Sequence, residues 1–274
     1  FFRGQYNYDE RFFFSASYRR DASSKFHPDN RWGNFWSVGG SWIIDKENWF
    51  NADWVNLLKV KASFGSQGND GIGNYRYTDL YTLKSAGGAI STVFYSKGNK
   101  NITWETNSNV NAGVEFSVFK GRLSGNVDYF YRKTTDMLFS RPVAPSLGYS
   151  SYYDNIGDMR NSGIEFAVNG AIMDRRNFRW DAYLNFTHYT NKITMLPEER
   201  KTVEVEGHRG YANGSSFVGE GLALNTFYLP KYAGVDHDTG DPLWYMTEDD
   251  GSQVKTADYS RATKYLCGDP VPDL

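Results

Sequence analysis

Residues 12–21 read Phe12-Phe13-Phe14-Ser15-Ala16-Ser17-Tyr18-Arg19-Arg20-Asp21. One side of this alternation consists of Phe12, Phe14, Ala16 and Tyr18, and the other of Ser15, Ser17, Arg19 and Asp21. Successive side chains of a β-strand point to opposite faces of its sheet, so the segment predicts a strand with one apolar and one polar face. A strand of about ten residues, tilted by about 45°, also spans a bilayer. Repetition of such strands is typical of an outer-membrane barrel with lipid outside and a polar lumen inside.

The same alternation recurs and predicts about eight strands before Asn191, with two more between Ser215 and Tyr245. After the first strand, the clearest segments are residues 35–44, 58–64, 109–118, 123–132, 164–169 and 178–187. Their polar positions repeatedly carry Lys, Glu, Asp and Arg. Tight turns at Lys120-Gly121 and at 174–177 alternate with loops of about 12 to 37 residues, among them 65–101 and 135–155. Bacterial barrels show this asymmetry between short periplasmic turns and long extracellular loops.

Composition agrees with a two-faced wall. Aromatic residues make up 17% of the 274 residues, yet the mean hydropathy is −0.61, so rings and polar groups have to be segregated. The sequence contains no apolar run of the length that a transmembrane helix needs. The net charge of −2 provides no basic stripe and argues against a nucleic-acid partner. The single Cys267 cannot form an internal disulfide.

A soluble β-rich domain is the main alternative, because one buried face also produces alternation. The predicted strands are longer than the usual 5–6 residues, and their polar faces are heavily charged, which favours the membrane wall. A complete small outer-membrane barrel and a soluble carbohydrate-binding module both remain alternatives to part of a large barrel.

Six motifs follow one another along nearly the whole chain: 18–26 (Tyr-Arg-Arg-Asp-Ala-Ser-Ser-Lys-Phe), 30–39 (Asn-Arg-Trp-Gly-Asn-Phe-Trp-Ser-Val-Gly), 58–69 (Leu-Lys-Val-Lys-Ala-Ser-Phe-Gly-Ser-Gln-Gly-Asn), 161–166 (Asn-Ser-Gly-Ile-Glu-Phe), 232–236 (Tyr-Ala-Gly-Val-Asp) and 239–244 (Thr-Gly-Asp-Pro-Leu-Trp). In this order they resemble the barrel of the SusC/RagA family of TonB-dependent outer-membrane transporters. The resemblance implies an all-β fold, an antiparallel transmembrane wall belonging to a barrel of about 22 strands. Residues 1–274 are then a partial barrel domain, without the plug domain, the early strands and the last strands.

The resemblance also implies a function for the parent protein. Family members import nutrients, typically oligosaccharides or peptides, across the outer membrane of Bacteroidota, and they are not enzymes. The implied partners are a SusD-like surface lipoprotein, the TonB-ExbB-ExbD complex acting through the absent plug segment, and outer-membrane lipid. No cofactor is implied.

Two pairings of aromatic and acidic residues are candidate ligand-binding sites. Trp104 stands beside Glu105, and Trp244-Tyr245 follows Asp241. An aromatic ring can stack on a sugar while a carboxylate accepts hydrogen bonds from its hydroxyl groups. The alternative, which is more common in barrels, is that these rings belong to the interfacial aromatic girdle.

Metal and catalytic sites have weaker support. The run Asp236-His237-Asp238-Thr239-Gly240-Asp241 resembles a calcium loop, but its Gly comes one position too early for an EF-hand and no Glu stands at the twelfth position. A solvated turn is therefore predicted, and no metal is assigned. His208 could act as a base for the hydroxyl group of Ser215 or Ser216, but nothing in the sequence fixes the geometry of these side chains.

The two ends and the long loops complete the predictions. Residues 1–8 read as the second half of a strand, and residues 268–272 as a turn leading into another strand. We therefore expect a piece of a longer protein. Loops 65–101 and 192–214 are expected to be extracellular, mobile and close to the lipoprotein partner.

Overall fold

The computed structural model describes residues 1–149 and 151–271. It divides into two compact units, one spanning Phe1–Tyr189 and the other beginning at Thr190. The turn predicted at 268–272 extends to Pro272, which lies outside the described residues.

The first unit is built from long antiparallel strands and two small hairpins. Its strands are β1 (Phe2–Tyr8), β2 (Phe12–Ala22), β3 (Trp32–Ile43), β4 (Val55–Asn69), β5 (Leu80–Ala86), β6 (Ala89–Ser96), β7 (Glu105–Val118), β8 (Leu123–Thr135), β9 (Leu138–Pro142), β10 (Ser151–Asn155), β11 (Asp158–Arg175) and β12 (Phe178–Met195), the last of which runs into the second unit. Short 3-10 helical turns span Ile44–Lys46 and Pro145–Leu147.

Eight of these strands form one sheet in the order β1-β2-β3-β4-β7-β8-β11-β12. Directly paired residues of antiparallel strands point to the same face, so the pairing shows which side chains share a row. One row runs through Tyr6, Phe14, Gly40, Ala62, Ala112, Tyr129 and Ile164. The adjacent row runs through Gln5, Ser15, Gly39, Ser63, Asn111, Phe130 and Gly163. We call the face with the first row the apolar face and the opposite one the polar face.

The apolar face is exposed in the chain as it stands. Phe14 is 56% exposed, Val38 48% and Ile164 48%. Among the described residues of the eight strands, only two hydrophobic side chains, Val118 and Ile193, are buried. Such a continuous apolar surface is typical of an interaction with lipid or protein rather than with water. The predicted in-and-out alternation is therefore confirmed across the sheet.

Several strands are longer than the alternating pattern predicted. The fourth long strand was predicted at 58–64 but runs over Val55–Asn69, and the strand predicted at 164–169 runs over Asp158–Arg175. Polar residues at these ends continue the backbone ladder, as in the pairing of Asn69 with Glu105. Hydrogen bonding of the main chain therefore extends the strands beyond the segment with clear apolar alternation.

The two ends of the sheet differ. At one end the connections are residues 9–11, 44–54, 119–122 and 176–177. In the turn between β7 and β8, Phe119, Lys120 and Gly121 are all at positive φ. At this end Trp54 stacks on Phe119 with ring centroids 5.7 Å apart, and Trp42 stacks on Phe12 at 5.9 Å. Aromatic rings at the rim of an apolar band are typical of a membrane interface.

The long loops lie at the opposite end and are packed together. Phe26, Ile72 and Ile102 form a buried cluster, against which Tyr77, Trp104, Leu138 and Tyr153 pack. The segment predicted as loop 65–101 contains the β5–β6 hairpin, and the predicted loop 135–155 contains the β9–β10 hairpin. Both segments were predicted only as loops between strands of the wall. The hairpins within them were not predicted, because neither shows the long alternation of the wall.

The second unit consists of short strands. They are β13 (Val203–Val205), β14 (His208–Asn213), β15 (Ser216–Gly219), β16 (Thr226–Pro230), β17 (Tyr232–Val235), β18 (Pro242–Thr247), β19 (Gln253–Thr256) and β20 (Lys264–Leu266). A short 3-10 helical turn spans Glu198–Arg200. Ile193, Leu196 and Val218 form its buried cluster. The expectation of two strands between Ser215 and Tyr245 was too low, and β13 and β14 occupy the predicted loop 192–214.

No helix in the described part of the chain has the length and apolarity needed to cross a membrane.

Candidate functional site

The polar face carries two ion pairs, and a glycine in the neighbouring strand leaves space for one of their carboxylates. Lys61 Nζ lies 2.9 Å from Asp128 Oδ1, and Lys59 Nζ lies 3.0 Å from Glu115 Oε2. Gly113 stands directly opposite Asp128, and a Cβ added at Gly113 would lie only 2.0 Å from that same oxygen. The missing side chain at Gly113 is what allows Asp128 to lie against Lys61.

Glu165 adds a negative charge to this network without a matching cation. It is paired directly with Asp128 across β8 and β11, and like charges in that position repel each other. Lys61 approaches Asp128, whereas the Glu165 carboxylate makes no hydrogen bond or ion pair among the described residues. The polar face therefore presents an uncompensated carboxylate.

A concavity of about 550 Å³ lies beside Glu165. Its lining includes Asn109, Asn111, Phe130, Arg132, Asn161 and Glu165, and we call it the polar concavity. Arg132 Nε donates a 2.7 Å hydrogen bond to Asn109 Oδ1, which orients the guanidinium. The terminal nitrogens of Arg132 have no partner in the described part of the chain.

Gly163 lies where β11 closely approaches the main chain of β12. It pairs with Phe130, and an added Cβ would lie 2.9 Å from Phe130 Cζ and 2.7 Å from Tyr189 Cβ. The nearest atom to an added Cβ would be the His188 carbonyl oxygen, so a side chain at Gly163 would clash with the main chain of β12. The half-buried Phe130 ring provides an apolar surface between the charges of Glu165 and Arg132.

Trp104 and Glu105, predicted as ligand-binding residues, lie in the packed loops. The Trp104 ring packs against Phe26 at 5.5 Å and Phe35 at 5.2 Å between centroids, and Trp104 Nε1 donates to the Arg31 carbonyl at 3.0 Å. These contacts support a packing role for Trp104. Glu105 Oε1 accepts a 3.0 Å hydrogen bond from Asn69 Nδ2, and its other oxygen accepts one from the Leu138 amide. Ligand binding by this pair stays a prediction.

The candidates Asp241, Trp244 and Tyr245 lie in the second unit, on and just before β18. Trp244 makes an edge contact with Tyr259 at 5.1 Å. Tyr245 follows it in the strand and therefore points to the other face. Asp241 is exposed. The three side chains do not form one surface, and binding by them also stays a prediction.

The acidic turn before β18 is organised by its own backbone. Asp236 Oδ1 accepts hydrogen bonds from the amides of Asp238 at 2.9 Å and Thr239 at 3.0 Å. These amide donors, that of Thr239 first, lower the pKa of Asp236 below its ordinary value. Among the described residues no group of three His, Cys, Asp or Glu side chains is placed to hold a metal ion.

His208 and the nearby serines are not brought together. His208 Nδ1 lies 2.9 Å from the Glu220 carbonyl oxygen. Ser216 pairs with Asn213 at the other end of β14, so His208 and Ser216 lie at opposite ends of the strand pair. His208 is therefore not placed to act as a base for Ser216.

The residues of the polar concavity were not among the predicted site residues. Alternation assigned Glu165, Arg132, Asn109 and Asn111 to the polar side of their strands. It did not give the register between β7, β8 and β11, which makes them neighbours. That register depends on long-range pairing, and one sequence carries no direct signal for it.

Comparison with known proteins finds TonB-dependent receptors of similar sequence. The family model described as "TonB dependent receptor-like, beta-barrel" matches residues 1–265. The TonB-dependent receptor SusC of Bacteroides thetaiotaomicron is 30% identical over 290 residues, which cover 99% of this chain and 28% of SusC. TonB-dependent receptor P3 of Formosa agariphila is 30% identical over 299 residues, covering 100% of this chain and 29% of that receptor.

A solved structure shows the same architecture. The RagAB peptide importer in its "closed-closed" state matches with a TM-score of 0.84 and 32% sequence identity, over 96% of this chain and 29% of that chain. The present chain thus spans less than a third of the length of each of these relatives.

Proposed function

This chain belongs to the TonB-dependent receptor-like β-barrel family, and we propose that its parent protein imports nutrients across the outer membrane by an energy-dependent mechanism. Proteins of this family lie in the outer membrane and are receptors and transporters rather than enzymes. Within the parent protein, the chain supplies a section of wall.

The eight-stranded sheet with its two different faces carries this proposal. Its apolar face suits contact with lipid, and its polar face suits the lining of a lumen. A sheet of this kind has unpaired hydrogen-bonding groups along both outer strands, and lipid cannot satisfy them. We therefore propose that residues 1–274 are a partial barrel domain, with the plug domain, the early strands and the last strands contributed by other parts of the parent protein.

The partners follow from the same proposal. A SusD-like surface lipoprotein would cover the end with the long loops, and the TonB-ExbB-ExbD complex would supply energy through the plug segment. The imported nutrient is an oligosaccharide or a peptide. The similarity to SusC and to the RagAB peptide importer supports this choice of partners and substrates.

Growth of a deletion strain tests the function. The gene for the full-length receptor is deleted, and growth is measured on a panel of oligosaccharides and peptides as sole nutrient. Growth on at least one of them should fail, and the intact gene should restore it only in cells with functional TonB. Normal growth of the deletion strain on the whole panel, or restoration without TonB, would contradict the proposal. The lipoprotein partner is tested by co-purification with the full-length receptor.

A further inference from the structure

We propose that the apolar face binds a phosphate-bearing lipid of the outer leaflet, with the phosphate at Lys133 and Arg160 and the acyl chains along the apolar surface next to them. This inference rests on the proposed place of the chain in an outer-membrane barrel, where the end with the long loops faces the cell exterior. It adds a lipid site on the outside of the wall, separate from import through the lumen.

Two basic residues lie side by side on the apolar face. Lys133 and Arg160 are directly paired between β8 and β11, four positions from the pair of Tyr129 and Ile164. An even spacing along a strand keeps side chains on one face, so both basic residues share the face of that apolar pair. The Cβ atoms of directly paired residues lie about 5 Å apart, and the two charged groups can therefore reach one ligand. We call Lys133 and Arg160 the cation pair.

The cation pair stands where the apolar surface ends. From Leu123 to Tyr131 the apolar-face positions of β8 are uncharged, and Lys133 is the first charged residue after them toward the long loops. On β11, Arg160 is likewise the first charged apolar-face residue beyond Ile164 in that direction. Barrels carry aromatic girdles where the apolar band meets the headgroups, and long basic side chains extend to the headgroups. The cation pair therefore lies at headgroup level.

The charges of the cation pair are only partly neutralised. Lys133 Nζ lies 3.5 Å from Asp158 Oδ2, which orients the ammonium group. Arg160 is exposed and forms no hydrogen bond or ion pair with the residues that the structure describes. One carboxylate beside two cations leaves a net positive charge on a face that is otherwise apolar.

A phosphate matches this charge. Like charges in directly paired positions repel each other, and an anion between them removes the repulsion. A guanidinium can donate two parallel hydrogen bonds to a phosphate, and an ammonium group pairs with it as a point charge. Ser108 is paired with Lys133, and Ser66 with Ser108, so two hydroxyl groups continue the row. Hydroxyl groups can donate to further phosphate or sugar oxygens, which suits a phosphorylated sugar headgroup.

A recess in the apolar face lies close to this row and suits acyl chains. Its volume is about 790 Å³. Small residues form one row across it, with Gly40 paired to Ala62 and Ala62 to Ala112. The larger Phe64 and Val110 form the next row toward the long loops and also line it. Apolar chains of a lipid whose phosphate is at the cation pair lie at this depth, and the recess increases their contact with the wall.

The strands that carry the cation pair are internal to the sheet. Both neighbours of β8, and both neighbours of β11, belong to the same eight-stranded sheet. Further strands of a parent barrel would therefore join at β1 and β12. A plug or a substrate inside the lumen does not reach the outside of the wall. The surface around the cation pair is thus open to the lipid of the outer leaflet.

Lipid binding by the purified full-length receptor tests the inference. Affinities in detergent are measured for lipid A and for dephosphorylated lipid A, and inorganic phosphate in excess is tested as a competitor. The variants are the double substitution Lys133→Gln/Arg160→Gln and the recess substitution Ala112→Phe. Arg176→Gln is the control, because it removes a cation from the turn between β11 and β12 at the other end of the sheet. Heat-modifiable electrophoretic mobility shows whether each variant is folded.

The double variant should lower the affinity for lipid A by about tenfold or more, since it removes two charge-assisted contacts. Ala112→Phe should lower it by a smaller factor, because its ring fills the recess. Arg176→Gln should bind lipid A like the wild type. Dephosphorylated lipid A should bind the wild type no better than lipid A binds the double variant. Inorganic phosphate should not displace lipid A, because it has no acyl chains.

Other outcomes overturn the inference. Equal affinity of the wild type and the folded double variant for lipid A would exclude the cation pair as the phosphate site. Displacement of lipid A by inorganic phosphate would reject a lipid site in favour of a general anion site. Wild-type affinity in Ala112→Phe would remove the recess from the site. A receptor dimer that dissociates in the double variant, with lipid A affinity unchanged, would assign this face to contact between two receptors.

Failure of this inference is distinguishable from failure of the import function. Lipid A binding that depends on the cation pair, together with normal growth of the deletion strain on the whole panel, would uphold the lipid site and reject import. Failed growth of the deletion strain, with no binding of lipid A by the purified receptor, would uphold import and reject the lipid site.

Discussion

Gly113 is a single residue on which the charge arrangement of the polar face depends. An added Cβ would meet Asp128 Oδ1 at 2.0 Å and the Val127 carbonyl oxygen at 2.9 Å. Gly113→Ala should therefore separate Asp128 from Lys61 and destabilise the full-length receptor by about 1–3 kcal/mol. Denaturant unfolding, followed by heat-modifiable electrophoretic mobility, measures this change.

Gly40→Ala is the matched control for this substitution. Gly40 lies on the apolar face, and the nearest atom to its added Cβ is Phe14 Cδ1 at 3.6 Å, an ordinary contact distance. The control should unfold near the wild-type denaturant concentration. Equal destabilisation by the two alanines would show that Gly113 has no special role.

Val114 tests the assignment of the apolar face. It shares a row with Val60 and Val127 and is 37% exposed. Val114→Arg should destabilise the receptor by about 2–4 kcal/mol if this position lies near the middle of the bilayer. Ser15→Arg, on the polar face, should have a much smaller effect. Similar losses at the two positions in a refolding assay with lipid vesicles would contradict the assignment.

The β5–β6 hairpin is closed at its base by a charged contact outside the wall. Asp79 Oδ1 accepts a 2.8 Å hydrogen bond from the Gly98 amide and lies 3.0 Å from Lys97 Nζ. The Gly98 amide, followed by Lys97, lowers the pKa of Asp79 below the ordinary value of 3.8. This carboxylate therefore stabilises the hairpin above that pH, and the stabilisation is lost as pH falls through the lowered pKa.

Hydrogen exchange of the hairpin amides measures the effect. After correction for intrinsic exchange, protection in the full-length receptor should be constant well above the ordinary Asp pKa of 3.8 and should fall as the pH is lowered below it. Asp79→Asn should reduce protection at neutral pH and remove most of this pH dependence. If protection of the wild-type hairpin stayed constant as the pH was lowered, the contact of Asp79 would not be what closes the hairpin.

Trp104 distinguishes packing of the long loops from ligand binding. Its ring lies against Phe26 and Phe35, so Trp104→Ala should destabilise the loop cluster by about 3 kcal/mol. Trp49→Ala, at the other end of the sheet and 62% exposed, is the control and should have a smaller effect. Unchanged stability with loss of oligosaccharide binding in Trp104→Ala would instead support the stacking role predicted from sequence.

Alternation predicted the long strands because lipid and lumen impose a strict period of two on the side chains. It did not predict β5 and β6, because their residues are not part of the wall. It also missed the last five residues of β4, 65–69, where the ladder continues with Gly, Ser, Gln and Asn. The neighbours in the polar concavity depend on register, and the pairing of Glu165 with Asp128 emerged only when the strands were assembled.

Considered as a whole, the eight-stranded sheet is open, with β1 and β12 at its two edges. Under the proposed partial-barrel assignment, other parts of the parent protein would pair with these two edges. A closed barrel removes such edges, and lipid does not tolerate them.

The central claim is that one face of this sheet contacts lipid and the other lines a lumen. Single cysteines placed along β7, in a full-length receptor whose Cys267 is replaced by Ser, test it most directly in intact outer membranes. Positions 109, 111 and 115 should react with a water-soluble thiol reagent. Spin labels attached at positions 110, 112, 114 and 116 should instead have spectra that are broadened by a lipid-soluble relaxation agent. Uniform reactivity along β7, or alternation of the opposite phase, would contradict the claim.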